Sequence, residues 1–268
     1  MKTKSANLLA RGYELIDGIT VPLGTSNVDL DVEGKEPQNA EKLTIVVGNE
    51  KVNMYVFRPS NYKEGEKTPL VYFIHGGGYH FGNVSMDEPK IQGVADGSGA
   101  TVIAPDYTLS LDPSYKYPME LEQVYAGLLY AYEHADELHV DKDNIVIEGE
   151  CVWTKENNVF GWGKLIEGQD KELSEEEMIY FSPAVATVEQ LKGLPETFMI
   201  VGSLDLFCDE DMTYAQKLME AGVFTELYVE PGVPHAYEYL EWTPQARRFI
   251  EMRNHATARM LGAEKEVK

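Results

Sequence analysis

The sequence predicts an α/β fold, a mostly parallel sheet with helices on both faces, and three observations predict it. Short, nearly continuous apolar runs such as "PLVYFIH" (69–75) and "TVIAPDY" (101–107) have the pattern of strands buried on both faces. These runs alternate with segments of helical periodicity, the order expected when strands are joined by helical crossovers. The chain has 268 residues, 43% of them hydrophobic, which is ample for one large core.

Residues 1–40 read as an N-terminal arm or lid, with an amphipathic stretch near Leu8 to Ile16 and then a segment broken by Gly, Asn and Asp. Residues 41–268 read as the main domain. "KLTIVVGNEKVNMYVFRP" predicts a β-hairpin around a Gly-Asn turn at a sheet edge. Behind Pro118, Leu121, Val124, Tyr125, Leu128 and Tyr132 recur at helical spacing and predict an amphipathic helix over 118–137. "NIVIEG", "TFMIVG" and "TELYVE" follow as strands. The last two flank the helix "DMTYAQKLMEAG", stopped by Gly222, and a closing helix runs from about Pro244 to Leu261. Segment 154–167 can supply a crossover helix, whereas "MIYF" (178–181), cut short by Ser182-Pro183, reads as an irregular loop.

The charge excludes some functions. Forty-five acidic against 23 basic residues give a formal charge of −22, which repels phosphate backbones and anionic membranes. No nucleic-acid partner is expected. No run approaches the roughly 18 apolar residues of a membrane span, and the first residues lack the apolar core of a signal peptide. A cytoplasmic protein is expected, with homo-oligomerisation left open. Two cysteines, Cys151 and Cys208, are too few for a disulfide framework.

Three segments can carry chemistry. "HGGGYHFG" (75–82) follows a buried strand, and its glycines let the backbone approach a ligand with N–H groups exposed, as a developing oxyanion requires. The bland alternative is a tight loop that needs glycine only for its shape. Asp205 stands just past the strand "TFMIVG", at the end of a strand where ligands bind in open α/β sheets. Taken alone it would be a turn or cap residue, and Asp209 and Glu210 start the next helix, where they complement its dipole. His235, in "EPGVPHAYEY", lies on the turn after the last strand. A carboxylate paired with it would orient the imidazole while the ring moves a proton. His134, His139 and His255 read as solvated, and His80 as either a pocket wall or a surface residue. Cys151, Cys208, Asp205 and His235 are metal-ligating types, but no pair has metal-motif spacing, so no metal is expected.

Together, "HGGGYHFG", "PDYTLSLDPSYKYP", "VWTKENNVFGW", "GLPETFMIVGSLDLFCDEDMTYAQKLMEAGV" and "ELYVEPGVPHAYE" resemble the bacterial hormone-sensitive-lipase-like esterases of the α/β-hydrolase superfamily. The resemblance is collinear from about residue 40 to 262. It implies an α/β-hydrolase fold and carboxylic ester hydrolysis without a cofactor, on small-molecule esters generally of short acyl chains. It also implies Gly77 and Gly78 as oxyanion-hole donors, His75 and Gly76 as the supporting loop, Asp205 as the triad acid and His235 as the triad base. The chain order of glycine loop, acid and histidine agrees with that fold.

One element departs from the family. Where its members carry a Gly-Asp/Glu-Ser-Ala-Gly elbow, this chain has Gly149-Glu150-Cys151-Val152-Trp153, with cysteine in place of serine and Trp in place of the second glycine. The "VWTKENNVFGW" segment then follows at once, where the family first has a helix and another strand. An internal deletion of about 30 residues or more, a strand-plus-helix unit, accounts for both differences. Cys151 is a candidate replacement nucleophile through its reactive sulfur. Against it stand the bulk of Trp153 and the loss of the helix whose N-terminus would lower the thiol pKa. The alternative is an inactive remnant or small-molecule binding protein on a hydrolase scaffold.

Overall fold

The computed structural model describes residues 26–27, 30–149, 155–165 and 173–262. The predicted amphipathic stretch near Leu8 to Ile16 and the Glu150–Trp153 junction, with Cys151, lie outside the described residues. The chain divides into two compact units, one drawn from Val21–Gly168 and Arg253–Lys268, the other built on Gln169–Met252.

The first unit holds a five-stranded sheet of order β1-β2-β4-β3-β5. β1 (Glu41–Val47) and β2 (Glu50–Phe57) form the predicted edge hairpin, closed by Gly48 in the left-handed region. β2 runs antiparallel to β4 (Thr101–Asp106), while β3 (Thr68–Ile74) lies parallel to β4 and to β5 (Val140–Gly149). Side chains of β3 alternate between two cores. Val71 and Phe73 pack with Phe57, Val102 and residues of α1 (Glu88–Ser98), while Leu70 and Tyr72 pack with Met54, Ile103 and Ala131 of α2 (Met119–Glu133). Such a strand is apolar without interruption because both of its faces are buried.

α2 buries only part of the stripe its large residues predict, with Val124 and Leu128 packed against the sheet core. Glu120, Gln123, Gly127 and Ala131 are buried, whereas Tyr125 and Tyr132 are exposed. Gly127 sets the contact: a Cβ there would stand 2.3 Å from the Tyr72 hydroxyl and 2.7 Å from the Met54 sulfur, so the helix meets the sheet through its smallest residue. α3 (Lys155–Leu165) is the helix expected within 154–167, although the strands before and after it lie in different sheets.

The second unit pairs β6 (Thr197–Gly202) in parallel with β7 (Thr225–Glu230), connected by α5 (Cys208–Glu220). Leu218 and Val223 pack with Ala186 and Leu191 beside this pair. α4 (Glu175–Phe181) replaces the irregular loop expected around "MIYF". The overlooked signal is a capping box, in which the Ser174 hydroxyl accepts from Glu177 N–H and the Glu177 carboxylate accepts from Ser174 N–H. α6 (Pro244–Met260) closes the chain, with Phe249 against Val233 and Tyr237. The strands expected in one sheet thus form two. Among the described residues β5 pairs only with β3, and β6 only with β7.

Candidate active site

The loop after β3 is shaped by backbone freedom. Gly77 and Gly78 adopt φ of +118° and +58°, and a Cβ on Gly77 would fall 1.9 Å from the Phe81 carbonyl oxygen, so only glycine fits there. The Gly77 carbonyl accepts from the N–H groups of His80 and Phe81, both at 3.2 Å, folding the loop onto itself. Among the described residues, the Gly77 and Gly78 N–H groups have no acceptor. Two buried amides without acceptors are what an oxyanion hole offers.

His75 anchors this loop from below. It is buried, stacks on Tyr107 at 4.2 Å, and its Nδ1–H donates to the Gly76 carbonyl at 2.9 Å. The Tyr107 hydroxyl donates to the His75 carbonyl at 2.8 Å, and His75 Nε2 lies 3.9 Å from Asp106 Oδ1. Burial holds the His75 ring below its ordinary pKa and pushes the Asp106 carboxyl up, the latter partly opposed by the imidazole. His80 is buried as well, edge-on to Phe81 and Phe160, which excludes the surface role considered for it.

In the second unit, Asp205 and His235 are brought together across 30 residues of sequence. His235 Nδ1–H donates to Asp205 Oδ2 at 2.5 Å, and Phe207 N–H donates to Asp205 Oδ1 at 2.9 Å. Their side chains are 16% and 6% exposed, so the pair sits in a medium where the hydrogen bond orients strongly. With Nδ1 committed as donor, Nε2 of the neutral ring is the basic nitrogen. It is buried and, among the described residues, has no partner. That is the state of an imidazole ready to take a proton.

The two loops are laced together by their backbones. Ser203 N–H donates to the Glu230 carbonyl at 2.9 Å, Leu204 N–H to the Val233 carbonyl at 3.0 Å, and Gly232 N–H to the Ser203 hydroxyl at 2.8 Å. Gly202 permits the approach, since a Cβ there would lie 2.3 Å from the Val233 oxygen. At the end of β7, the fully buried Glu230 carboxylate accepts two hydrogen bonds from Arg248, at 2.9 and 2.6 Å.

Acidic residues surround the dyad. Asp209 and Glu210 lie in the first turn of α5 as expected, joined by Asp211, whose carboxyl burial and the neighbouring Asp205 and Glu210 push up to about 6. Burial and three nearby aspartates push the Cys208 thiol up, which disfavours the thiolate a metal or a nucleophilic role requires. Among the described residues no group of three His, Cys, Asp or Glu could hold a metal ion. His134, His139 and His255 lie toward the surface, His134 paired with Glu137 at 3.3 Å.

The glycines, His75, Asp205 and His235 are the residues the sequence singles out; Asp106, Gly202 and Ser203 support them structurally, and glycine at the end of a strand followed by a hydroxyl residue is a local signal for the last two.

The histidine–carboxylate pair lies on loops that follow parallel strands of the second unit, and the glycine loop follows a parallel strand of the first, placements characteristic of α/β architecture. A family model described as "alpha/beta hydrolase fold" matches residues 71–152 and 148–239, and the chain belongs to that family. It is 25% identical to an arylesterase of Saccharolobus solfataricus over 211 residues, covering 63% of this chain and 68% of the relative. It is 24% identical to the carboxylesterase NlhH of Mycobacterium tuberculosis over 216 residues, covering 64% and 67%. Solved structures agree in fold. A thermostable esterase from Pseudomonas putida superimposes with a TM-score of 0.77 at 24% identity, covering 91% of this chain and 93% of that one. A bacterial heroin esterase gives 0.73 at 23% identity, covering 87% and 88%. At these identities the structural likeness shows the fold alone. No helix among the described residues is long and apolar enough to cross a membrane.

Proposed function

We propose that the chain is a carboxylic ester hydrolase acting on small, short-acyl esters, whose serine elbow has been removed by an internal deletion. The observation that carries the reading is the buried Asp205–His235 hydrogen bond, with an Nε2 that has no partner among the described residues. In ester hydrolysis the Gly77 and Gly78 amides would bind the carbonyl oxygen as it gains charge, His235 would move the proton, and Asp205 would hold the ring in the required tautomer.

Two further observations support the deletion. The matches to the family model meet and overlap at residues 148–152, where the elbow would lie. The arylesterase alignment runs over 211 residues while 63% of this 268-residue chain is about 169, and the carboxylesterase alignment over 216 against about 172. Each relative therefore has roughly 40 positions without a counterpart here, enough for the missing strand-plus-helix unit.

Loss of the serine limits the rate. In triad hydrolases stripped of their nucleophile, oxyanion hole and binding together retain about 10³–10⁴ over the uncatalysed reaction. Slow turnover of 4-nitrophenyl acetate, above the rate in buffer, is the expected result for the purified full chain. Turnover that vanishes in Cys151→Ala and after iodoacetamide assigns the nucleophile to Cys151. No turnover, with binding of an acyl analogue retained, establishes instead the binding protein that the missing serine also suits. Intact mass together with the sequenced coding DNA around Gly149 tests the deletion, and a recovered serine-bearing segment would end it.

A further inference from the structure

The glycine loop is fixed at its two ends by different parts of the chain. At its start it continues from β3, with His75 buried and Tyr107 donating to the His75 carbonyl. At its finish it meets the arm. The Asn27 side chain binds both backbone groups of Gly82: Oδ1 accepts from Gly82 N–H at 2.7 Å, and Nδ2 donates to the Gly82 carbonyl at 3.0 Å. These residues lie 55 apart in sequence and in the same unit. The carboxamide here does what a neighbouring strand would do, satisfying one N–H and one C=O at once.

Gly82 needs such a partner. Its φ is +94°, and a Cβ there would stand 2.5 Å from the Gly76 carbonyl oxygen, so the end of the loop lies against its beginning. A segment with glycines at φ of +118°, +58° and +94° has many alternative conformations, and an external contact must select one. The arm is held nearby by other contacts: Asn83 Nδ2 donates to the Val32 carbonyl at 2.7 Å, and the Glu88 carboxylate accepts from the N–H groups of Gln38 and Asn39 at 3.0 and 2.8 Å. Asn27 alone among these grips the glycine loop itself.

We infer that Asn27 is a positioning residue for ester hydrolysis, its carboxamide holding Gly82 so that the 76–82 loop keeps the Gly77 and Gly78 amides free to donate. The inference rests on the esterase reading above. Residues that place reacting groups can act strongly at a distance, because a displacement of about 1 Å can cost about 100-fold in rate.

The test uses the full chain as wild type, Asn27→Ala and Asn27→Asp. It measures turnover of 4-nitrophenyl acetate, amide hydrogen exchange in peptides spanning 75–88, and the thermal midpoint. Asn27→Ala is expected to lower kcat about tenfold or more with KM within about twofold, and to speed exchange of the loop amides. In Asn27→Asp the ionised carboxylate still accepts from Gly82 N–H but repels the Gly82 carbonyl. Protonation at low pH restores the donor, so its rate relative to wild type at the same pH rises as pH falls toward 5. A role confined to holding the arm would move the thermal midpoint and leave that ratio flat. Unchanged loop exchange in Asn27→Ala, or faster exchange with wild-type kcat, overturns the inference while leaving the esterase reading intact. A wild type without turnover sinks that reading and the catalytic role of Asn27 together.

Discussion

The glycine loop after β3 and the dyad loops after β6 and β7 hold their proposed functional atoms by opposite means. In the first, the functional groups are backbone amides, and the loop is made by what its residues lack: no Cβ at Gly77 or Gly78, and a carbonyl at Gly77 that binds back to His80 and Phe81. In the second, the functional groups are side chains, and a lattice of backbone hydrogen bonds from Ser203, Leu204 and Gly232 brings two loops together so that Asp205 and His235 meet. The difference teaches where each site is vulnerable. The amide loop fails when a side chain is added, whereas the dyad fails when one is taken away.

The largest expected effect comes from removing the proton carrier. Where Cys151 carries the turnover, His235→Ala should lower it by about 10²–10³, the usual share of general acid–base catalysis. Asp205→Asn should approach it, because the amide can no longer fix the Nδ1–H tautomer. Turnover at fixed ester concentration and pH measures both, and an unaffected His235→Ala would remove the dyad from the reaction. Next come the added methyl groups. Gly77→Ala should cost about 100-fold, comparable to losing one oxyanion donor, with little change at His235. Gly202→Ala, whose Cβ would meet the Val233 oxygen, should part the dyad loops instead. The histidine NMR resonance reports the distinction: a shifted His235 signal in Gly202→Ala and an unshifted one in Gly77→Ala sharpens the contrast, and the reverse breaks it.

Legibility in the sequence follows the same division. The glycine run announces its loop because glycine at consecutive positions has few other uses, and the strands β3, β4 and β6 announce themselves as nearly continuous apolar runs. Asp205 and His235 are legible through their places after strands, but their 2.5 Å contact depends on pairings of Ser203 and Leu204 with residues beyond α5. The orientation of α2 was hidden for a similar reason. Its large residues suggest a stripe that includes Tyr125 and Tyr132, while the fit of Gly127 against Tyr72 and Met54 leaves those two exposed. Asn27 carries no signal at all, since its partner is a backbone 55 residues away.

Beyond catalysis, the dyad loops depend on a buried charge pair that the glycine loop has no counterpart for in its own turn. Glu230 is fully buried at the end of β7, five residues before His235, and Arg248 supplies both of its side-chain hydrogen bonds. Arg248→Ala leaves a carboxylate buried and unpaired, which should destabilise the fold by about 3 kcal/mol. Arg248→Lys keeps the charge but not the two-pronged geometry and should lose less. Urea denaturation at pH 7 measures both, with the neighbouring Arg247→Ala as control. Equal losses at 247 and 248 would show that the pair contributes nothing to holding these loops.

The smallest expected effect lies at Asp211, the carboxyl pushed up to about 6 by burial and by Asp205 and Glu210, with His235 pulling the other way. A folded-state pKa above the unfolded value near 3.8 means that ionisation disfavours the folded state. The favourable contribution of this group is therefore fully present below about pH 4 and is lost as pH rises to about 6. Asp211→Asn removes the titration. It should leave stability nearly unchanged at pH 4 and raise it above pH 6 by on the order of 1 kcal/mol, well under the nearly 3 kcal/mol of an unscreened shift, because solvent screens a partly exposed group and the helix dipole of α5 offsets part of the cost. Urea midpoints of the two proteins between pH 4 and pH 8 measure this. A gap of constant size across that range would show that Asp211 does not feel the dyad's charges, and the acidic start of α5 would then be a solvated helix end rather than part of the dyad's electrostatic surroundings.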